Sequence, residues 1–573
     1  MRFTINGSNK ESAHEGVLYC AQRIEEMLMG YTSHLYKVPV YNSFLLVNEY
    51  LETASLVQSC ILDKSHLKII IDEFIHTFRC DMIIKEHFSD KEINYFFNSL
   101  KDATLFEQKK MMNFLLHRMK NYPIWCADIL KIACSMPQEK KRMESILRSY
   151  VPMLIGAGYS PDYIYWFCLK IFENDSLSDV TSVGHFFKRF DLADNDYDVY
   201  YAIDKKFKQF STVLEKIIDI SFEEDEYTNA LKYDKKRYIC VHQRTSALDN
   251  NRAVEQVYRN FSLFVRYYSF LSDRNERWHD ETAMVIDSHN NKFFIPFKPL
   301  GYLYPKVFDD KIVGKNSERV IAALLENTGT TDFNRINKII KIHNIALNSE
   351  DTNNAFLNLW SIMEIIGISD REESKIQEVL KSVVPILLHN YAKNVFKQIY
   401  CYLKDNLEEN DFRALLQTIA IGENEIEKIA FMIALPSCKV EREYAYNILS
   451  DFPLLRNRIF VLRTEIFEKK SKFIKKLNNY KQRLEWHIQR IYRVRNSIIH
   501  SGESSERIRD LVEHLHAYID EIIFEIIERM IQKDSLVSIE NVLVYNKVYI
   551  DNLIADFNCE SDFTESDVAR LFE

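Results

Sequence analysis

The chain has 573 residues, enough for roughly three or four domains with ample buried core. Its formal net charge of -9 excludes a generally basic nucleic-acid coat but leaves room for a local basic site. With only 12 Gly and 11 Pro, the residues that punctuate strands and turns, helix is favoured over sheet.

In chain order, residues 1 to about 190 read as successive short helices. Phe74, Ile75 and Phe78 recur at helical spacing, as do Met111, Phe114, Leu115 and Met119. Breaks are expected at Tyr122-Pro123, at Met136-Pro137 and between Gly156 and Pro161. The Asp- and Ser-rich stretch from Asn174 to Asp198 reads as a linker. A mixed α/β region follows, to about residue 345. It holds a strand at Lys236–His242, a long helix from about Asn251 to Leu271, and a β-hairpin turning at Ser288-His289-Asn290-Asn291.

From 346 onward the pattern is helical again. Ala355 to Ile366 is apolar nearly all round and should be buried. Helices are expected over 374–404 and 424–450, then two long ones over about 457–500 and 505–531, with Ser501-Gly502 between them. A core stripe runs through Ile508, Leu511, Val512, Leu515, Ile519, Ile522, Ile526 and Met530. A polar tail with some strand character, Val542 to Ile550, closes the chain. The fold class is therefore mainly α, in four parts: residues 1–190, 191–345, 346–535 and 536–573.

The ten cysteines include no CxxC and no Cys/His cluster with zinc spacing, which favours free thiols in a reducing compartment. No apolar signal core opens the chain, and no stretch approaches the roughly 20 apolar residues of a membrane span. A cytoplasmic protein is expected, without membrane, cofactor or metal.

One segment stands out chemically, Arg495-Asn496-Ser497-Ile498-Ile499-His500. Spacing alone says little, since Arg-x4-His is expected about once by chance in a chain of this length, and Arg237/His242 and Arg509/His514 match it too. Three features, taken together, distinguish the Arg495 match. Asn496 and His500 stand four residues apart, on one helix face. Arg495 interrupts an apolar stripe of Leu484, Ile488, Ile491 and Ile498, where a guanidinium is costly unless it meets a partner or a substrate. From Lys469 to Arg495 there are ten Lys or Arg and a single acid, Glu485, an excess that can attract phosphates. Each feature has a plainer explanation: a solvated basic face, a helix-terminal histidine, an internal ion pair such as Arg495 with Glu364. None of these explains the coincidence.

The segment from Trp486 to Gly502 resembles the signature helix of HEPN domains, most closely the ApeA-like group of bacterial anti-phage proteins. The helix Ala355 to Glu364, with Trp360 and its acidic residue, resembles that group's first helix. The likeness covers about 345–535, extends loosely to 236–300, and does not reach residues 1–190. It implies a metal-independent endoribonuclease acting as a homodimer through this domain, in which the ribose 2′-OH attacks the adjacent phosphate. Arg495, Asn496 and His500 would be catalytic. His500 would move protons, because imidazole titrates near neutrality. Arg495 would clamp the phosphate, and Asn496 would orient His500 or a phosphate oxygen. Glu364, Tyr492 and Arg493 are supporting candidates, and Lys475, Lys476 and Arg490 are candidate RNA contacts. Transfer RNA is the substrate the resemblance suggests. Residues 1–190 would sense a phage trigger or partner protein in an abortive-infection defence. The competing reading is a HEPN-like scaffold or RNA-binding module that does not cut.

Overall fold

A computed structural model describes residues 12–573, except 30–31, 38–40, 175–180, 189, 223–229, 273–277, 298–317, 319–320, 323–329, 350, 368–373, 503–506 and 532–537. It is mostly helical, with a small antiparallel sheet in the middle region. The compact units are drawn differently from the sequence boundaries at 190 and 345. One unit joins residues 1–152 and 172–183 to 302–573; the other comprises 153–171 and 184–301.

The smaller unit is built on a five-stranded sheet: β1 (Asn195–Asp204), β2 (Ile220–Phe222), β3 (Tyr238–Ala247), β4 (His279–Asp287) and β5 (Lys292–Pro296). Its order is β2-β3-β1-β4-β5, with antiparallel neighbours throughout. The hairpin β4–β5 turns at the expected residues, and Asn290 takes the positive φ of 61° that Asn tolerates. The long helix Asn250–Ser272 packs Val254, Val257, Phe261 and Val265 against one sheet face. The central strand β1 begins inside the stretch read as a linker. Its Asp and Asn residues suggest a loop, but Val199, Tyr201 and Ile203 alternate into the core.

In the larger unit, α1 (Ser12–Leu28), α2 (Ser43–Gln58), α3 (Ser65–Cys80) and α4 (Tyr122–Cys134) carry an aliphatic and aromatic core that includes Leu46, Tyr50, Ile70, Phe74 and Phe78. In the helix Leu105–Arg118 the buried face is Met112 and Leu115, continued by Met119 beyond its end. Phe114 is 58% exposed, so the sequence stripe is rotated by about one residue. Gly16 of α1 faces α4, and a β-carbon there would lie against the Cys134 carbonyl oxygen, far inside van der Waals contact. A Gly→Ala change inside a helix ordinarily stabilises by about 0.5–1 kcal/mol. Here the clash reverses the sign. Gly16→Ala is expected to lower stability by about 1–3 kcal/mol, read as a lower urea midpoint at unchanged slope.

The remainder of this unit includes α5 (Thr330–Leu347), α6 (Thr352–Gly367), α7 (Lys375–His389), α8 (Lys470–Ser501), α9 (Ile508–Ile531) and α10 (Ile539–Phe557). α6 is buried nearly all round, packing on α5, α7, α8 and α9. The stripe expected on α9 is buried at every position from Ile508 to Met530. The long helix expected over 457–500 is divided: Pro453–Val461 passes through a π turn, Leu462–Ile466, before α8 begins at Lys470. The segment read as a tail with strand character is the helix α10. Its buried residues Ile539, Val542, Asn546, Ile550, Leu553 and Phe557 follow helical spacing and pack mainly on α7, overriding the β-branched preference of Val542, Val544 and Val548. Among the described residues, no helix is long and apolar enough to cross a membrane.

Candidate functional site

The motif lies in the last two turns of α8. The helix ends at Gly502, whose φ of +72° lets its N–H bond the Ile498 carbonyl at 3.1 Å. Upstream, Leu484, Ile488, Ile491 and Ile498 are all buried, so Arg495 does sit on an apolar seam. Its guanidinium is held on two sides: Nη2 lies 3.5 Å from Oε1 of Glu364, and Nη1 donates to Oδ1 of Asn496 at 3.0 Å. Glu364 is positioned in turn by Trp360, whose Nε1 donates to the same Oε1 at 2.9 Å. The Trp360 ring lies 5.6 Å from Tyr492. Arg495, Glu364, Tyr492 and Asn496 are therefore gathered by α6 and α8. About a fifth of the Arg495 and Glu364 side chains stays accessible, so the pair is open to a ligand.

His500 is one turn further along and exposed, and its ring makes no hydrogen bond or ion pair with any described residue. The oxygen of Asn496 is engaged by Arg495 rather than by His500. Of the other spacing matches, Arg274-Asn275-x3-His279 begins outside the described residues, and two more differ from the motif. Arg237 precedes β3, where His242 bonds Asp198 at 2.9 Å, and His514 is buried inside α9.

The basic approach to the motif serves several ends. Lys475 is exposed, and Lys476 is half-buried. Arg490 and Arg493 are 2% and 3% exposed, which contradicts Arg490 as an RNA contact and leaves Arg493 no open face toward a ligand as a supporting residue. Arg490 Nε donates to both Glu49 oxygens at 3.0 Å, and its Nη2 reaches Glu49 at 2.9 Å and Glu73 at 2.6 Å. Arg493 Nη2 donates to Glu49 at 2.5 Å. The Arg490 guanidinium also lies over the Tyr41 ring, 4.1 Å from its centroid. Burial alone would raise the Glu49 carboxyl, but the two arginines outweigh it and its pKa falls below the usual range. Burial raises Glu73 against the pull of Arg490, and the neighbouring Glu49 charge adds to the rise. Glu49 and Glu73 lie more than 400 residues from these arginines, so nothing in the sequence pairs them.

One group among the described residues could hold a metal ion: His343 of α5 with His516 and Asp520 of α9, their ligand atoms within 4.8 Å of one another. His343 Nε2 lies 3.1 Å and His516 Nε2 3.5 Å from Asp520 Oδ1. The imidazoles stack at 5.0 Å; His343 hydrogen-bonds the carboxylate, and His516 meets it at ion-pair distance only. His514 and His516, two residues apart on α9, meet different partners, His487 and His343. What one helix could not show was a third ligand from α5. Comparison of the chain with protein-family models, with curated proteins and with solved structures finds no match.

Proposed function

We propose that the protein is a cytoplasmic, metal-independent endoribonuclease of the HEPN type, working as a homodimer in anti-phage defence. The observation that carries this reading is a placement. Arg495 sits on a buried apolar seam, fixed by Glu364 and Asn496 yet still accessible, and an exposed His500 with no partner among the described residues follows just over one turn later. Cleavage by 2′-OH attack needs proton transfer and stabilisation of an anionic phosphorane. His500 serves the first as general acid/base, and the charged fork of Arg495 serves the second. Asn496 and Glu364 orient Arg495, and Ile499, 48% exposed beside His500, is an apolar contact for a second copy. Transfer RNA is the substrate to test first.

Purified protein is expected to cut transfer RNA in the presence of EDTA and leave 2′,3′-cyclic phosphate ends. His500→Ala and Arg495→Ala should each reduce the rate by about 10²-fold or more with unchanged circular dichroism. Folded variants that cut at the wild-type rate would sink the assignment. A second reading, a non-catalytic helical scaffold, draws support from the burial of Arg490 and Arg493, which removes two cations from any RNA surface. It predicts dimerisation with no cleavage and no effect of His500→Ala.

A further inference from the structure

A cavity of about 1030 Å³ lies in the larger unit, with no residue of the motif in its lining. That is at the upper end of the roughly 300–1,000 Å³ typical of small-molecule sites. Although the chain is acidic overall, nine lysines and arginines line the cavity against four carboxylates, so an anion is favoured. The carboxylates are already engaged. Glu144 binds Arg23 at 2.8 Å and Arg458 at 3.3 Å; Glu465 pairs with Lys141 at 3.1 Å, and Glu73 with Arg490 at 2.6 Å. Asp81 accepts from Ser43 at 2.6 Å and Tyr122 at 2.5 Å.

Two lining cations are left over, and a third is held only at the limit of an ion pair. Lys476 and Arg483, two turns apart on α8, make no ion pair with any described residue. Arg483 Nε donates only to the Asn479 carbonyl of its own helix, at 3.3 Å. Arg148, on the helix Lys140–Ala157, comes no closer than 4.0 Å to Glu144. About a third of its side chain is accessible, yet burial together with the nearby Arg483 charge lowers its pKa to about 9. Burial, then Arg483 and Arg148, likewise lower Lys476 to about 8. Like charges held together in a cavity are costly until a polyanion lies among them. Phe460 on the same wall is 53% exposed, a flat apolar surface with no aromatic partner among the described residues.

We propose that this cavity binds a phosphorylated small molecule of nucleotide size, with Arg148, Lys476 and Arg483 holding its phosphates and Phe460 carrying its flat ring. The site is independent of the cleavage reading, because no residue of the motif lines it.

The test is calorimetric titration of the full chain with ATP, inorganic tripolyphosphate and adenosine, beside thermal unfolding. ATP should bind and raise the unfolding temperature, with adenosine far weaker. Lys476→Gln and Arg483→Gln should each weaken ATP binding by about tenfold or more, the loss expected for one charge-assisted contact. Without ligand, both variants should unfold at or above the wild-type temperature, because a repulsion has been removed; a merely structural role would lower it. Phe460→Ala should weaken ATP but not tripolyphosphate. The proposal fails if neither phosphate compound binds, if adenosine binds as tightly as ATP, or if the two glutamine variants bind ATP like wild type. Tripolyphosphate binding as tightly as ATP would overturn the role of Phe460.

Discussion

Arg490→Ala is expected to cost about 3–5 kcal/mol of stability, the penalty for removing one member of a buried ion network. The arginine makes four contacts to Glu49 and Glu73, each at 3.0 Å or less, and all three side chains are nearly inaccessible. Without it, two carboxylates face each other with only Arg493 to compensate. Urea unfolding of the full chain reads the loss directly. Arg490→Lys should recover only part of it, because a single ammonium cannot reproduce the guanidinium fork that serves both acids. Glu73→Gln added to Arg490→Ala should be milder than the sum of the two single changes, because it removes the stranded repulsion. An Arg490→Ala protein within about 1 kcal/mol of wild type would show that this network does not hold α2 and α3 to α8.

Acidification should destabilise the protein well above the carboxylate range. Burial holds His34 at about 3 and His514 at about 4, and drives His487 well below its ordinary value. The cluster is tight. His34 Nε2 meets the Tyr480 hydroxyl at 2.9 Å, His487 Nδ1 meets the Tyr518 hydroxyl at 2.8 Å, and the His487 and His514 rings are 5.0 Å apart. Lys37, Arg490 and Arg507 add positive charge nearby, and Asp510 opposes them only in part. Each folded-state pKa is depressed below the unfolded value of about 6.5. The contribution is therefore fully present above pH 6.5 and is lost as pH falls toward 4. At pH 5 each histidine kept neutral by burial costs about 2 kcal/mol, so three of them consume a large part of a typical ~5–15 kcal/mol stability. Mutual repulsion makes their losses less than independent. The measurement is the urea midpoint at pH 7.5, 6.5, 5.5 and 5.0. His514→Asn should flatten that profile by about one proton's worth, and a flat wild-type profile would exclude the cluster as its source.

How far the sequence could be read depended on how local each cause was. The α9 stripe, the all-apolar α6, the long helix of the smaller unit and the β4–β5 hairpin all follow from spacing within a single element. β1 was hidden because its first residues, Asn195, Asp196 and Asp198, are loop formers. Pairing on both sides with β3 and β4 makes it the central strand. α10 was hidden because valines favour a strand locally, while the packing partner that decides the matter is α7. At the motif, the seam was legible from periodicity, and the Arg495–Glu364 pair is the internal ion pair that the sequence offered as the plainer explanation of Arg495. Arg490 and Arg493 looked like equivalent members of one basic run. Only their long-range carboxylate partners separate them from Lys475, which remains in solvent.

The unbroken length of α8 has a mechanical consequence. Lys476, on the cavity wall, and His500 belong to one rod and stand 24 residues apart along it, or roughly 36 Å at the helical rise. A rigid rod of that length turns a small tilt at one end into a larger displacement at the other. A tilt of only about 5° at the Lys476 end would sweep the imidazole through about 3 Å, whereas a displacement of about 1 Å can already cost a positioned catalytic group 100-fold in rate. The burial of the helix along most of its length, and its ion pairs to α2 and α3 through Arg490 and Arg493, are what hold such a tilt in check.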